Sequence, residues 1–141
     1  MTDVENKYRY SYSANYYLFD RATEQLQPLD EERQPQTLAE YSPDGNQVSY
    51  IYENNIYVKN LNTGIVTQLT SDGEKNAIVN GTTDWVYEEE FAFIKAYDWS
   101  PDSKYLAYLK FDERQVKEFR MTFFNGLYPE SYDFKYPKAG E

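Results

Sequence analysis

Apolar and polar positions alternate along much of this chain. Tyr8-Arg9-Tyr10-Ser11-Tyr12-Ser13 puts an aromatic ring at every second position, which predicts a strand with one buried face. Asn15-Tyr16-Tyr17-Leu18-Phe19-Asp20 predicts the next strand, and Gln25-Leu26-Gln27-Pro28-Leu29 another after a turn at residues 20–24. Residues 1–6 are polar and read as loose, and residues 30–36, polar with a proline, read as a loop.

The pattern repeats. Asn55-Ile56-Tyr57-Val58-Lys59-Asn60-Leu61-Asn62-Thr63-Gly64-Ile65-Val66-Thr67-Gln68-Leu69 echoes residues 15–29 at an offset of 40, with Tyr17 on Tyr57, Thr23 on Thr63, Leu26 on Val66 and Leu29 on Leu69. A second echo, offset by 58, sets Tyr41-Ser42-Pro43-Asp44-Gly45 against Trp99-Ser100-Pro101-Asp102-Ser103. It continues with residues 48–50 on 106–108 and Val58-Lys59 on Val116-Lys117. Ser-Pro-Asp-Gly is a turn because Pro fixes φ, Asp bonds its own backbone and Gly accepts positive φ. A period near 40 with short strands and matched turns is the mark of propeller blades. The fold expected is all-β: a partial β-propeller of about three four-stranded antiparallel blades. The second offset exceeds the first by 18, so an insertion is expected between Leu69 and Trp99, at about residues 74–92.

Inside that insertion lies Asp84-Trp85-Val86-Tyr87-Glu88-Glu89-Glu90-Phe91. Gly81-Thr82-Thr83-Asp84 supplies turn and N-cap residues, so two turns of helix are expected from Trp85. Three adjacent carboxylates repel one another and need compensation by solvent and salt, an arginine, a metal ion or a ligand's ammonium. Successive helical side chains point about 100° apart. Glu89 and Glu90 can therefore converge on one small ligand, whereas all three glutamates cannot do so easily. Trp85, Tyr87 and Phe91 are expected to seat the insertion by packing, and residues 128–136 to form a packed loop.

Composition narrows the chemistry. Sixteen tyrosines and 18% aromatic content favour strands. A net charge of −10 argues against nucleic acid or an anionic membrane as partner. Without His or Cys the chain cannot hold a Ser-His-Asp or Cys-His triad, an imidazole–thiolate zinc site or a disulfide. No apolar run has the length of a membrane span and no signal peptide opens the chain, which reads as cytosolic or as lacking a targeting segment encoded elsewhere.

The run from Asp84 to Glu90 resembles the glutamate motif in the propeller of dipeptidyl peptidase IV-like serine exopeptidases, of the prolyl oligopeptidase superfamily. Arg9-Tyr10-Ser11-Tyr12-Ser13-Ala14, the Ser-Pro-Asp turns, Asn54-Asn55-Ile56-Tyr57-Val58-Lys59 and Tyr136-Pro137-Lys138-Ala139-Gly140 agree with that family in the same order, over most of residues 8–141. Leu127-Tyr128-Pro129-Glu130-Ser131-Tyr132 resembles bacterial members.

The resemblance implies an eight-bladed propeller joined to an α/β-hydrolase domain that carries the triad. Such enzymes remove X-Pro or X-Ala dipeptides from peptide N-termini, without cofactor or metal. It implies that Glu89 and Glu90 bind the substrate's α-ammonium, that Arg9 holds one glutamate and approaches a peptide carbonyl, and that Glu88 is structural or solvated. Catalytic residues are expected outside this chain, making residues 1–141 a propeller fragment without its hydrolase domain, catalytically silent by itself. The expected partners are peptides with a free N-terminus. The full-length protein is expected to be a homodimer in the periplasm, at the cell surface or outside the cell. Two other readings stay open from the residues themselves: a non-enzymatic propeller scaffold for protein binding, and a calcium site at the carboxylates. Val86-Tyr87 interrupts the alternating Asp/Asn ligands that a calcium loop uses.

Overall fold

The structure, a computed structural model, describes residues 1–140. Its strands are β1 (Thr2–Asn6), β2 (Tyr12–Asn15), β3 (Tyr17–Asp20), β4 (Gln25–Pro28), β5 (Thr37–Tyr41), β6 (Gln47–Tyr52), β7 (Asn55–Asn60), β8 (Val66–Gln68) and β9 (Ile78–Asn80). After the helix α1 (Trp85–Phe91) come β10 (Tyr97–Trp99), β11 (Leu106–Tyr108), β12 (Lys110–Asp112), β13 (Glu118–Phe123) and β14 (Glu130–Lys135). All strand pairings are antiparallel, as the alternating pattern requires.

The 40-residue echo is a repeated hairpin. β3 pairs with β4 and β7 with β8. In the first turn the Asp20 carboxylate accepts the amides of Ala22 and Thr23; in the second, Asn60 accepts those of Asn62 and Thr63. The Leu29 amide donates to the Tyr16 carbonyl as that of Leu69 does to Ile56, both at 2.8 Å. The 58-residue echo is a repeated turn. Ser42 Oγ donates to Asp44 and accepts the Gln47 amide; Ser100 Oγ donates to Asp102 and accepts the Tyr105 amide. Gly45 has φ +73°, and Ser103 takes the same left-handed conformation at +60°. The match continues through the strands, since Asp98 faces Ala107 and Trp99 faces Leu106 as Glu40 faces Ser49 and Tyr41 faces Val48. It ends after β11, where residues 116–117 lie between β12 and β13 rather than pairing as Val58-Lys59 do.

The all-β, propeller-like architecture agrees with the sequence reading, but the strands are shared out differently. Four-stranded pairing is complete in β5-β6-β7-β8, and the other described strands form pairs rather than two further four-stranded blades. β12 leaves the β10–β11 hairpin to pair with β9, in register Phe111 to Val79. Residues 1–6 are not loose: they form β1, which pairs with β2 although all five of its strand residues are exposed. The strand expected from Tyr8 begins only at Tyr12, because residues 7–11 turn the chain from β1 into β2.

The core lies on both faces of β6 and β7. On one face Val48, Tyr50 and Tyr57 pack with Leu29, against Leu18 of β3; on the other Ile51 and Ile56 pack with Tyr97 of β10. Adjacent residues Tyr50 and Ile51 thus serve opposite faces, and the sheets stack on either side of the complete blade. A buried polar network fixes the loop at residues 30–36. Gln36 accepts the Tyr16 amide and donates to the Asp30 carbonyl, while Asp30 accepts hydrogen bonds from Tyr50 and Arg33. Gly73 is required by close approach, since a Cβ there would lie 2.3 Å from the Asn54 carbonyl oxygen.

The matched leucines differ in environment. Leu29 is buried between sheets, whereas Leu69 is half exposed on an uncovered face. Leu29→Ala is expected to cost about 2–5 kcal/mol and Leu69→Ala less than about 1 kcal/mol. Urea unfolding of the protein carrying this region measures both.

Candidate functional site

Helix α1 stands on an excursion of the chain that closes on itself. The Ala96 amide donates to the Gly81 carbonyl, Thr82 and Lys95 form a bridge, and the Thr83 hydroxyl donates to the Phe93 carbonyl. Gly81 has φ +75°, and a Cβ there would crowd the side chains of Ile51 and Ile56, so the excursion starts directly from the core. Asp84 caps the helix by accepting the Tyr87 amide at 2.9 Å, and Ala92 ends it in the left-handed region, its amide donating to the Glu88 carbonyl.

Aromatic packing seats the helix. The Trp85 ring lies 4.6 Å from Tyr136 and 5.8 Å from Phe134, and Tyr87 lies 5.1 Å from Phe111, centroid to centroid. Phe91 packs its ring on Tyr87 at 5.6 Å but is largely exposed, so it adds less to the seat than Trp85 and Tyr87. Residues 128–136 do not form a packed loop: β14 pairs with β13, and the tip of that hairpin exposes Phe124, Leu127 and Tyr128. Phe134 and Tyr136 bring their rings to Trp85 of α1 and Tyr132 stacks on Phe134, while the tip has no neighbouring element among the described residues to pack against.

One helical step separates each glutamate from the next in environment. Glu88 faces inward and is 1% exposed. Its Oε1 accepts the amides of Tyr10 at 2.7 Å and Ser11 at 2.8 Å. Glu89, its side chain 15% exposed, forms an ion pair with Arg9, Nε to Oε2, at 2.9 Å. Glu90 is exposed and makes no hydrogen bond or ion pair among the described residues. Arg9 is 66% exposed and sits in a tight bend closed by the Lys7 amide on the Ser11 carbonyl. An exposed ion pair contributes about 0–1 kcal/mol, whereas a hydrogen bond to a charged acceptor contributes about 1.5–3 kcal/mol. Glu88 therefore does more than the visible salt bridge to join helix and bend. The loop it holds is the turn between β1 and β2, in which the Tyr8–Ser13 alternation starts.

Residues 1–141 match the family described as the dipeptidyl peptidase IV (DPP IV) N-terminal region. The chain belongs to this family. It is 38% identical over 141 residues to the prolyl endopeptidase FAP of Mus musculus, covering 99% of this chain and 18% of that protein. It is 39% identical over 140 residues to the dipeptidyl peptidase 4 of Felis catus, covering 95% and 18%. The crystal structure of Porphyromonas gingivalis dipeptidyl peptidase 4 superposes with a TM-score of 0.93 at 43% identity, over 99% of this chain and 20% of that one. The chain thus spans about a fifth of the length of these relatives.

Behind α1 this DPP IV N-terminal region encloses a cavity of about 550 Å³. Its wall includes Glu88, Ser11, Tyr8, Tyr132 and Glu113, but not Arg9, Glu89 or Glu90. Glu113 was not singled out by sequence: it lies between Asp112 and Arg114, which pair with each other, and reads as part of a polar turn. In the fold it is 8% exposed. Burial, and then the charge of Asp84, push its carboxyl up from 4.5 to about 7, against the pull of Lys135. Burial, with Tyr132 and Glu113 beside it, likewise pushes the Tyr8 phenol upward.

A carboxyl that ionises late in the folded state is neutral in both states at low pH and carries a penalty once charged in the fold. Stability is therefore expected to fall as pH rises from the ordinary value of 4.5 through about 7. Glu113→Gln is expected to flatten that slope, measured by urea midpoints across the range.

Proposed function

We propose that this region anchors the substrate of a serine-type dipeptidyl peptidase, with Glu89 and Glu90 binding the free α-ammonium of a peptide and Arg9 beside them. The whole protein then removes X-Pro or X-Ala dipeptides from N-termini, its nucleophile supplied by a hydrolase domain outside residues 1–141. The observation that carries this reading is the Arg9–Glu89 ion pair next to an unpaired Glu90 on one short, capped helix. An exopeptidase must measure distance from a free amine, so it needs anions on a rigid element. Arg9 orients Glu89 while the site is empty, and Glu90 leaves a carboxylate for the incoming cation. Each ammonium–carboxylate hydrogen bond contributes about 1.5–3 kcal/mol.

The calcium reading is supported less well. Glu88 is engaged by two amides and Glu89 by Arg9, which leaves one uncommitted carboxylate for an ion that takes 6–8 oxygens. A protein-binding scaffold needs no free-amine dependence at all. Activity outside the cytoplasm and homodimerisation belong to the same proposal. Fractionation of the host and light scattering of the native protein test them: a cytoplasmic monomer counts against both.

The deciding experiment titrates the full-length protein with the dipeptide Ile-Pro, amine free or acetylated. Binding is expected to need the free amine, and equal binding of both forms sinks the reading. Glu89→Gln and Glu90→Gln are each expected to lower kcat/KM on a free-amine X-Pro substrate by about 10–100-fold. A calcium-dependent rise in melting temperature that Glu89→Gln abolishes selects the metal instead.

A further inference from the structure

Two hydrogen bonds and an ion pair join α1 to the bend at residues 7–11, two stretches nearly 80 positions apart in sequence. One oxygen of Glu88 accepts the Tyr10 and Ser11 amides, Arg9 pairs with Glu89, and the Lys7 ammonium also feels the Glu88 charge. The ion pair is the weaker link because Arg9 is mostly exposed. Arg9 thus lies immediately before the two amides that Glu88 holds, and Glu89 immediately after the residue that holds them. Main-chain geometry set by Glu88 therefore determines where guanidinium and carboxylate meet.

The bend is the loop of the β1–β2 hairpin: Asn6 pairs with Tyr12, and the Lys7 amide on the Ser11 carbonyl closes residues 8–10 into the turn. Within that loop the Tyr10 and Ser11 amides have the Glu88 carboxylate as their acceptor. Freed from it, the loop would lose its anchor on α1, and Arg9 could move away from Glu89. A buried, doubly bonded carboxylate is what ties this loop to the helix.

We propose that Glu88 is a positioning residue for amine recognition: it touches no substrate, and by clamping the Tyr10 and Ser11 amides it fixes Arg9 against Glu89. This rests on the reading of Glu89, Glu90 and Arg9 given above. It makes a specific demand on chemistry. Both amides use Oε1, so an amide oxygen in its place can accept both bonds, and what such a change removes is the attraction for the Lys7 ammonium. Shortening the side chain by one methylene withdraws the acceptor while keeping the charge.

The test is steady-state kinetics of the full-length enzyme on a chromogenic X-Pro substrate with a free amine, using Glu88→Gln, Glu88→Asp and Glu88→Leu. Glu88→Gln is expected to stay within about threefold of the native kcat/KM, while Glu88→Asp and Glu88→Leu raise KM at least about tenfold with kcat changed less than about threefold. In an Arg9→Ala background Glu88→Asp is expected to add less than about twofold, since both act through the same contact. Hydrogen exchange across residues 8–12 is expected to quicken in Glu88→Asp and not in Glu88→Gln. A Glu88→Gln variant as impaired as Glu88→Asp overturns the proposal, as does an unimpaired Glu88→Asp or an undiminished effect on top of Arg9→Ala. If Glu88→Leu fails to fold, the Asp and Gln variants decide alone. If Arg9→Ala and Glu89→Gln leave KM unchanged, the amine reading has failed. If they raise KM and Glu88→Asp does not, only the role of Glu88 has failed.

Discussion

A carboxylate shut away from water must find donors, and Glu88 finds them in two main-chain amides on the far side of the chain. That requirement organises the region around α1. It turns the first glutamate of the triplet inward, which by helical rotation sends the second toward Arg9 and the third to solvent. It also anchors the loop of the β1–β2 hairpin, whose Tyr10 and Ser11 amides it accepts. One buried carboxylate thus ties the orientation of a helix to the position of a hairpin loop. The aromatic contacts of Trp85 and Tyr87 hold the helix in place but do not choose which glutamate faces which way.

Much of the fold was legible because it is written in turns. Ser, Pro, Asp and Asn at fixed offsets act through bonds to their own nearby backbone, which do not depend on distant packing. The Ser42 and Ser100 turns consequently reproduce each other bond for bond, even where a serine replaces the glycine. Leu29 and Leu69 mark the boundary of that legibility. Their local hydrogen bonds are the same, yet one is buried and the other is not, because burial depends on whether a neighbouring sheet is present. The departure of β12 to pair with β9 is non-local in the same sense.

The candidate site was legible in part for the same reason. A capped helix bearing adjacent glutamates can be read from Asp84 onward. That Glu88 would be the buried member follows only from what α1 packs on, which no local pattern encodes. Glu113 gave no signal, since a glutamate between Asp112 and Arg114 looks like surface until the cavity behind α1 is formed around it. Residues 1–6 were misjudged because their side chains are all exposed; a strand held by its backbone alone carries no apolar signature.

The closure of residues 82–95 upon Gly81 and Ala96 has a consequence of its own. The two ends of the excursion meet through a main-chain hydrogen bond and a bridge, so the distance the blade must span is the same whatever lies between them. The sheets and the excursion are therefore separable in length: residues can be gained or lost beyond the neck without shifting strand register on either side. The blade works as a socket, and the helix with its glutamates as the fitting it carries.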